Sequence, residues 1–319
     1  MINKILAIQG DSLFKLNPST DTTIFLAYEI QKKNYKIFYY EPKNLSIISS
    51  KVIAEGFFVK FNYKNKKFFK IFKKKKLDLT KCSAILIRQN PPFNLEYIET
   101  TYVLDTIKDK VKIVNNPTSI RNVSEKLYSS KYQNFMPKTI FSRNINEIKK
   151  FIQKHKKVIL KPVHGYGGND IYLLNKINFI FLKKFIKKHS YIMCQKFLPK
   201  ISNGDKRVFI INGKVVGAIS RIPKKGSFLS NLSKGGKPIV INLTTKEKNI
   251  SKKIASDLKK EKIFFAGIDF IDQKLNGDLN VTSPTGLKTL YDLSKINLAK
   301  TFWKELKIWK TLLINKKVL

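Results

Sequence analysis

Over the first 120 residues, short apolar runs take turns with segments of helical spacing. KILAIQG, KIFYYEP, AILIRQN and KIVNNP read as strands, and TTIFLAYEIQKK places Ile24 and Tyr28 on one side of a helix. Strands separated by helices imply parallel pairing, because a parallel connection needs a long crossover that a tight turn cannot supply. The first third is therefore expected to form a parallel sheet with helices on its faces. Ligands in such sheets lie beyond the carboxyl ends of the strands, and Arg88, directly after AILI, stands at such an end.

After SIRNVSEKLYSSKYQNFMPKTIFS the pattern changes. KVILKPVHG, DIYLLN and YIMCQKFLP read as antiparallel strands of a small sheet. RVFIINGKVVGAISRI is predicted to be a hairpin, since two alternating apolar runs meet at Asn212-Gly213. The stretch 223 to 238, PKKGSFLSNLSKGGKP, has no periodicity and is expected to be a mobile lid. A helix over 246 to 260 follows. The pair FFAGIDFID and DLNVTS is then joined by a turn, DQKLNG, and a terminal amphipathic helix starts near Ser294.

The 319 residues carry a net charge of +41, which would ordinarily suggest nucleic acid. KNKKFFKIFKKKK, 64 to 76, even interleaves lysine with aromatics. Yet the charge is spread along the whole chain and comes from 58 lysines against five arginines, the skew expected of an AT-rich genome. Nucleic acid is therefore set aside as a partner. No apolar run reaches the ~20 residues of a membrane span. Cys82 and Cys194 sit in apolar strand-like runs and are expected to be buried thiols in a reducing cytoplasm. Where lysine supplies general charge, the five arginines (Arg88, Arg121, Arg143, Arg207 and Arg221) are expected to serve as rigid bidentate forks for carboxylate or phosphate.

The polar residues of the second part form an ordered set suited to ATP. Lys126 lies on an expected helix. Lys161 ends a strand just before HGYGGND, where Gly165, Gly167 and Gly168 would let backbone N–H groups approach phosphate oxygens. Phe197-Leu198-Pro199, after the strand YIMCQK, form a hinge whose backbone could meet an adenine edge, with Gln195, Lys196, Phe197 and Leu198 as expected nucleotide contacts. Asp205 and Arg207 open the hairpin and Arg221 closes it. Asp269, Asp278 and Asn280 make an oxygen-ligand set for Mg²⁺, with Asp278 and Asn280 two apart on one strand face. Taken singly, a glycine-rich turn or a strand Asp-x-Asn has an ordinary structural reading. The three histidines, His155, His164 and His189, lie in no triad-like context, and His155 and His189 are expected to be exposed.

RQNPPFNLEYIETTYVLD, VNNPTSIRNVSEKLY, ILKPVHGYGGNDI, QKFLP, GDKRVFIINGKVV, SRIPKKGSFLSNLSKGG, AGIDFID and LNVTSPTG follow one another in the order seen in bacterial-type glutathione synthetases. The chain resembles that family, within the ATP-grasp superfamily, over essentially its full length. The resemblance implies an N-terminal parallel α/β (pre-ATP-grasp) domain over 1–122, a small lid subdomain over 123–198 and a C-terminal nucleotide-binding α+β subdomain over 199–319. It also implies ligation of glycine to γ-glutamylcysteine through an acyl phosphate, with ATP and two Mg²⁺ ions, or Mn²⁺ in their place. Lys126 and Lys161 would hold phosphates, and Arg207 and Arg221 would meet the acyl phosphate. Arg88, Asp205, Ser283, Thr285 and Gly286 would face the dipeptide, and Asp269, Asp278 and Asn280 the metal. A cytoplasmic homo-oligomer without membrane attachment is further implied. The chain departs from the family in three places. Asp278-Leu279-Asn280 replaces Glu-x-Asn, Phe228-Leu229 stands where the mobile loop carries an arginine, and QGDSLFKLNPST replaces a Met-Asp-Pro-type segment. Two other readings stay open: a related ligase for another peptide, and a catalytically weak basic binding protein on the same scaffold.

Overall fold

A computed structural model describes residues 4–63 and 68–315, so Lys64 to Lys67 of the lysine–aromatic stretch lie outside the described residues. The chain runs β1 (Ile5–Gln9), α1 (Thr22–Gln31), β2 (Lys36–Tyr40), β3 (Leu45–Ile48), β4 (Lys51–Phe61), β5 (Phe69–Asp78), β6 (Ala84–Ile87), α2 (Leu95–Asp105), β7 (Ile113–Val114) and α3 (Pro117–Asn122). It continues with β8 (Thr139–Ser142), α4 (Ile145–His155), β9 (Val158–Pro162), β10 (Tyr172–Leu174), α5 (Phe179–His189) and β11 (Ile192–Lys196). Last come β12 (Asp205–Ile211), β13 (Lys214–Ile222), β14 (Lys237–Val240), α6 (Thr245–Lys260), β15 (Phe265–Ile271), β16 (Lys274–Asn280), α7 (Leu287–Ser294) and α8 (Leu298–Asn315).

The expected parallel strands β2, β1, β6 and β7 are neighbours in that order. The sheet is mixed, however, because β3, β4 and β5 add antiparallel pairs beside β2. KVIAEGFFVKF alternates, with Val52 and Ala54 in one core and, past a register shift between Phe57 and Val59, Val59 and Phe61 in another. In β5 the same period is hidden, because lysine fills the exposed positions of a strand at the sheet's edge. Lysine on such an edge discourages pairing with other chains, which gives the run a structural role.

The second sheet runs β10-β9-β11-β8, all antiparallel, and the third β14-β13-β12-β15-β16. Asn212 and Gly213 both take positive φ, as a two-residue hairpin turn requires. Three expectations move at their edges. β14 begins inside the aperiodic stretch, at Lys237. The turn before Asp278 is only Asp272-Gln273, both at positive φ, so Lys274 to Gly277 belong to β16. Ser294 closes α7, and the terminal helix starts at Leu298 because Lys295, in the left-handed region, breaks the run. Also, Lys126 lies not within a helix but just before a 3-10 segment from Leu127 to Phe135.

One core joins the first and third sheets. Ile8, Phe25 and Leu26 pack in the same cluster as Phe209, Phe265, Phe302 and Trp303, and the Trp303 indole N–H donates to Leu26 O at 2.9 Å. Asn115, at the end of β7, provides the polar stitch. Its amide donates to Phe265 O and Val281 O and accepts from Phe264 N and Phe265 N, at 2.7 to 2.9 Å. Asn115→Leu keeps the volume but strands buried backbone groups. It should cost roughly 3 to 5 kcal/mol of stability, read as a shifted urea midpoint with unchanged slope.

Candidate active site

A cavity of about 850 Å³ opens between the second and third sheets and runs to the carboxyl ends of β1 and β6. Lys161 sits on β9 in a fully buried run, VILKP, and projects towards β16. There its Nζ lies 3.0 and 2.8 Å from Asn276 O and Oδ1, and 3.2 Å from Asp278 Oδ2. Lys126, equally buried, reaches the other carboxylate oxygen at 3.5 Å and donates to Gly165 O. Two ammonium groups therefore converge on one partly exposed carboxylate at the mouth of the glycine loop. Gly167 and Gly168 take positive φ, and a Cβ on Gly168 would fall 2.7 Å from Asn231 Oδ1. Glycine is needed there both for backbone geometry and for space.

On β16 the odd positions Leu275 and Leu279 enter the core, so Asn276, Asp278 and Asn280 share the cavity face. Asp269 on β15 joins them. It receives a two-point contact from Arg207, with Nη2 to Oδ2 at 2.8 Å, and Arg221 Nη2 lies 3.1 Å away. Arg221 also forks onto Asp205, with Nε to Oδ1 at 2.7 Å. Burial pushes the Asp269 carboxyl up, but the charges of Arg207 and Arg221 outweigh it and hold it down at about 2. For Asp278, burial is likewise overcome by Lys161 and Lys126, so its value is lowered. Both acids stay ionised, the form a cation requires. The Asp269 contribution to stability is complete above its ordinary 3.8 and is lost as pH falls towards about 2. Thermal unfolding of the wild type should therefore show a melting temperature that drops steeply only below about pH 4.

Among the described residues no three His, Cys, Asp or Glu side chains converge. A metal here would rest on Asp269, Asp278 and the Asn280 amide, with phosphate oxygens completing its shell. That donor set suits Mg²⁺, which seldom takes a full protein cage. Asn280 Nδ2 lies 3.1 Å from Gly267 O and 3.4 Å from Asp269 Oδ2, so the N–H side of its amide is the one turned to Asp269.

Gln195, Lys196, Phe197 and Leu198 line the far end. Gln195 is fixed on Thr139 Oγ1 at 3.0 Å, and Lys196 N and Phe197 N pair with Lys138 O and Lys157 O. Ser283, Thr285 and Gly286 line the opposite end, with Ser283 Oγ donating to Asn90 Oδ1 at 2.7 Å and Gly286 N to Thr22 Oγ1 at 3.0 Å. Asp205, Arg207 and Arg221 lie on the wall between. Arg88 is placed differently. It is buried behind the wall, donating to Thr23 Oγ1 and Pro284 O, and so holds the segment that carries Ser283 and Thr285. His164 is exposed and stacks on Phe93, while His155 and His189 are half-buried against Phe151 and Phe185, not exposed as expected.

Several lining residues escaped the sequence reading. Asn276 carried a signal, being one strand period before Asp278. Asp21 was visible as the cap of α1, accepting from Ile24 N at 2.8 Å. Lys15, Asn90, Asn231 and Lys234 carried none, since each reaches the cavity from a loop.

These are the parts of an ATP-grasp ligase, with a nucleotide-sized cleft between two antiparallel sheets, paired lysines under a glycine loop, and an acid–amide floor. The fold agrees. D-cycloserine synthetase superposes with a TM-score of 0.66 at 10% identity, covering 95% of this chain and 98% of that one. A Chryseobacterium gregarium ATP-grasp ligase associated with RiPP peptides gives 0.61 at 15%, covering 94% and 95%. The model of the prokaryotic glutathione synthetase N-terminal domain matches residues 5–121, and that of its ATP-grasp domain 125–295. The glutathione synthetase of Bradyrhizobium diazoefficiens is 33% identical over 305 residues, 93% of this chain and 96% of its own. The chain belongs to the prokaryotic glutathione synthetase family.

Proposed function

We propose that this protein joins glycine to γ-glutamylcysteine at the expense of ATP, giving glutathione, ADP and phosphate. The observation that carries the reading is the wall of Arg207, Arg221 and Asp269, set between a lysine-lined phosphate loop and the Ser283–Thr285 end. The cysteinyl carboxylate of the dipeptide attacks the terminal phosphorus of ATP, and ADP leaves. The glycine amine then attacks the acyl carbon, phosphate departs, and the amine proton passes to phosphate or solvent. In this reading Lys126 and Lys161 orient the phosphates, and Asp205 and Asp269 hold both guanidinium groups on the wall where charge develops. Asp269, Asp278 and Asn280 would hold Mg²⁺, two ions or Mn²⁺ in their place, which neutralises phosphate charge when bound.

Residues 1–122 would form the dipeptide-facing domain, 123–198 the lid over the nucleotide and 199–319 the catalytic floor. Gln195 to Leu198 would meet the adenine, and Arg88 would act through the Pro284 carbonyl. A homo-oligomer in the cytoplasm is part of the same reading, and no helix among the described residues is long and apolar enough to cross a membrane. Incubation with ATP, Mg²⁺, γ-glutamylcysteine and glycine should give a product with the mass of glutathione, with one phosphate released per product. Equal turnover of unrelated dipeptides would overturn the substrate assignment.

A further inference from the structure

The loop between β13 and β14 leaves and returns beside the reaction wall, since Arg221 pairs with Pro238 and Ile222 with Lys237. Its crown faces the cavity through Phe228, Leu229, Asn231 and Lys234. Lys224 and Lys225 are exposed and stand off that wall, so among the described residues Lys234 is the loop's one cation on it. The crown touches the phosphate loop at two points. Asn231 Oδ1 lies over Gly168, and Lys234 Nζ donates to Asn169 Oδ1 at 2.9 Å.

An ammonium resting on a neutral amide oxygen holds a weak acceptor. A phosphate oxygen carries charge and is the stronger one, because the contact then joins two opposite charges. With ATP under the glycine loop, exchanging Asn169 for phosphate is therefore favourable, and it would draw the crown down over the cavity. We propose that Lys234 is the cation which the lid carries to the transferred phosphoryl group, with Asn169 as its resting acceptor. This rests on the ligase reading above. It also bears on the departure seen in the sequence, where Phe228-Leu229 stands in place of an arginine. The charge has not been lost from the lid; it stands five residues after Leu229, as the last residue of a short helical turn.

The test is calorimetric binding of ADP and of a non-hydrolysable ATP analogue to wild type, Lys234→Gln, Lys234→Arg and Lys225→Gln, with kcat/KM for ATP beside it. Lys234→Gln should lose about tenfold in affinity for the ATP analogue and in kcat/KM, with ADP binding within about twofold of wild type. Lys234→Arg should recover most of the loss, and Lys225→Gln should behave as wild type. Wild-type affinity and turnover in Lys234→Gln would overturn the proposal. So would equal losses for ADP and analogue that arginine does not rescue, since these mark a prop for the glycine loop. If the wild type makes no glutathione, the substrate reading fails, while the difference between ADP and analogue still judges Lys234.

Discussion

Asp278→Asn is expected to lower turnover by about three orders of magnitude at saturating ATP and Mg²⁺, with the melting temperature little changed. The carboxylate is partly exposed and lies 3.2 and 3.5 Å from two buried lysines that line the cavity, and the asparagine oxygen can still accept from them once the charge is gone. What disappears is the negative group that offers oxygen to a cation and spaces Lys126 from Lys161. Asp278→Glu restores the side chain usual in the family, and should work only partly, because Lys161 and Lys126 already hold the shorter carboxylate at 3.2 and 3.5 Å and leave little room for a further methylene. Near-normal activity of Asp278→Asn at limiting Mg²⁺ would remove Asp278 from the metal set.

Arg221→Lys should lower kcat/KM by about ten- to a hundredfold despite keeping the charge. The guanidinium spans two acids, forking onto Asp205 while its Nη2 also reaches Asp269 at 3.1 Å. One ammonium cannot hold both. At least one charge-assisted bond goes, worth roughly 1.5 to 3 kcal/mol, and a buried carboxylate is left short of a partner. Some loss of stability is therefore expected beside the kinetic loss, and Asp205→Asn in the same background should soften it. Lys74→Gln is the contrast. Lys74 pairs with Glu55 on the exposed edge formed by β4 and β5, where such pairs contribute at most about 1 kcal/mol. Equal kcat/KM in wild type and Arg221→Lys would rule out the bidentate role.

How far the fold could be read depended on where periodicity survives. The parallel strands were legible as continuous apolar runs because both of their faces are buried, and the hairpin through its Asn212-Gly213 turn. β5 was not, since a lysine-rich edge strand looks like a solvated run. Scarcity made arginine informative, but unevenly. Arg207 and Arg221 do form forks on the wall, whereas Arg121 ties α3 to Asp105 and Thr101 of α2, and Arg143 is exposed over Tyr191. Arg88 shows the limit of the rule about strand ends. The position is right, yet the side chain turns inward to Pro284 O, which no spacing within 84 to 90 could reveal. Residues that reach the cavity from loops, Lys15, Asn90 and Lys234 among them, depend on tertiary placement alone.

The most direct test of the chemistry follows one atom. γ-Glutamylcysteine labelled with ¹⁸O in the cysteinyl carboxylate is turned over with ATP, Mg²⁺ and glycine, and the released phosphate is weighed by mass spectrometry. If the wall of Arg207 and Arg221 receives an acyl phosphate, one labelled oxygen moves to phosphate for each glutathione formed. Glutathione formed with unlabelled phosphate, or phosphate released with no peptide product, would contradict the account.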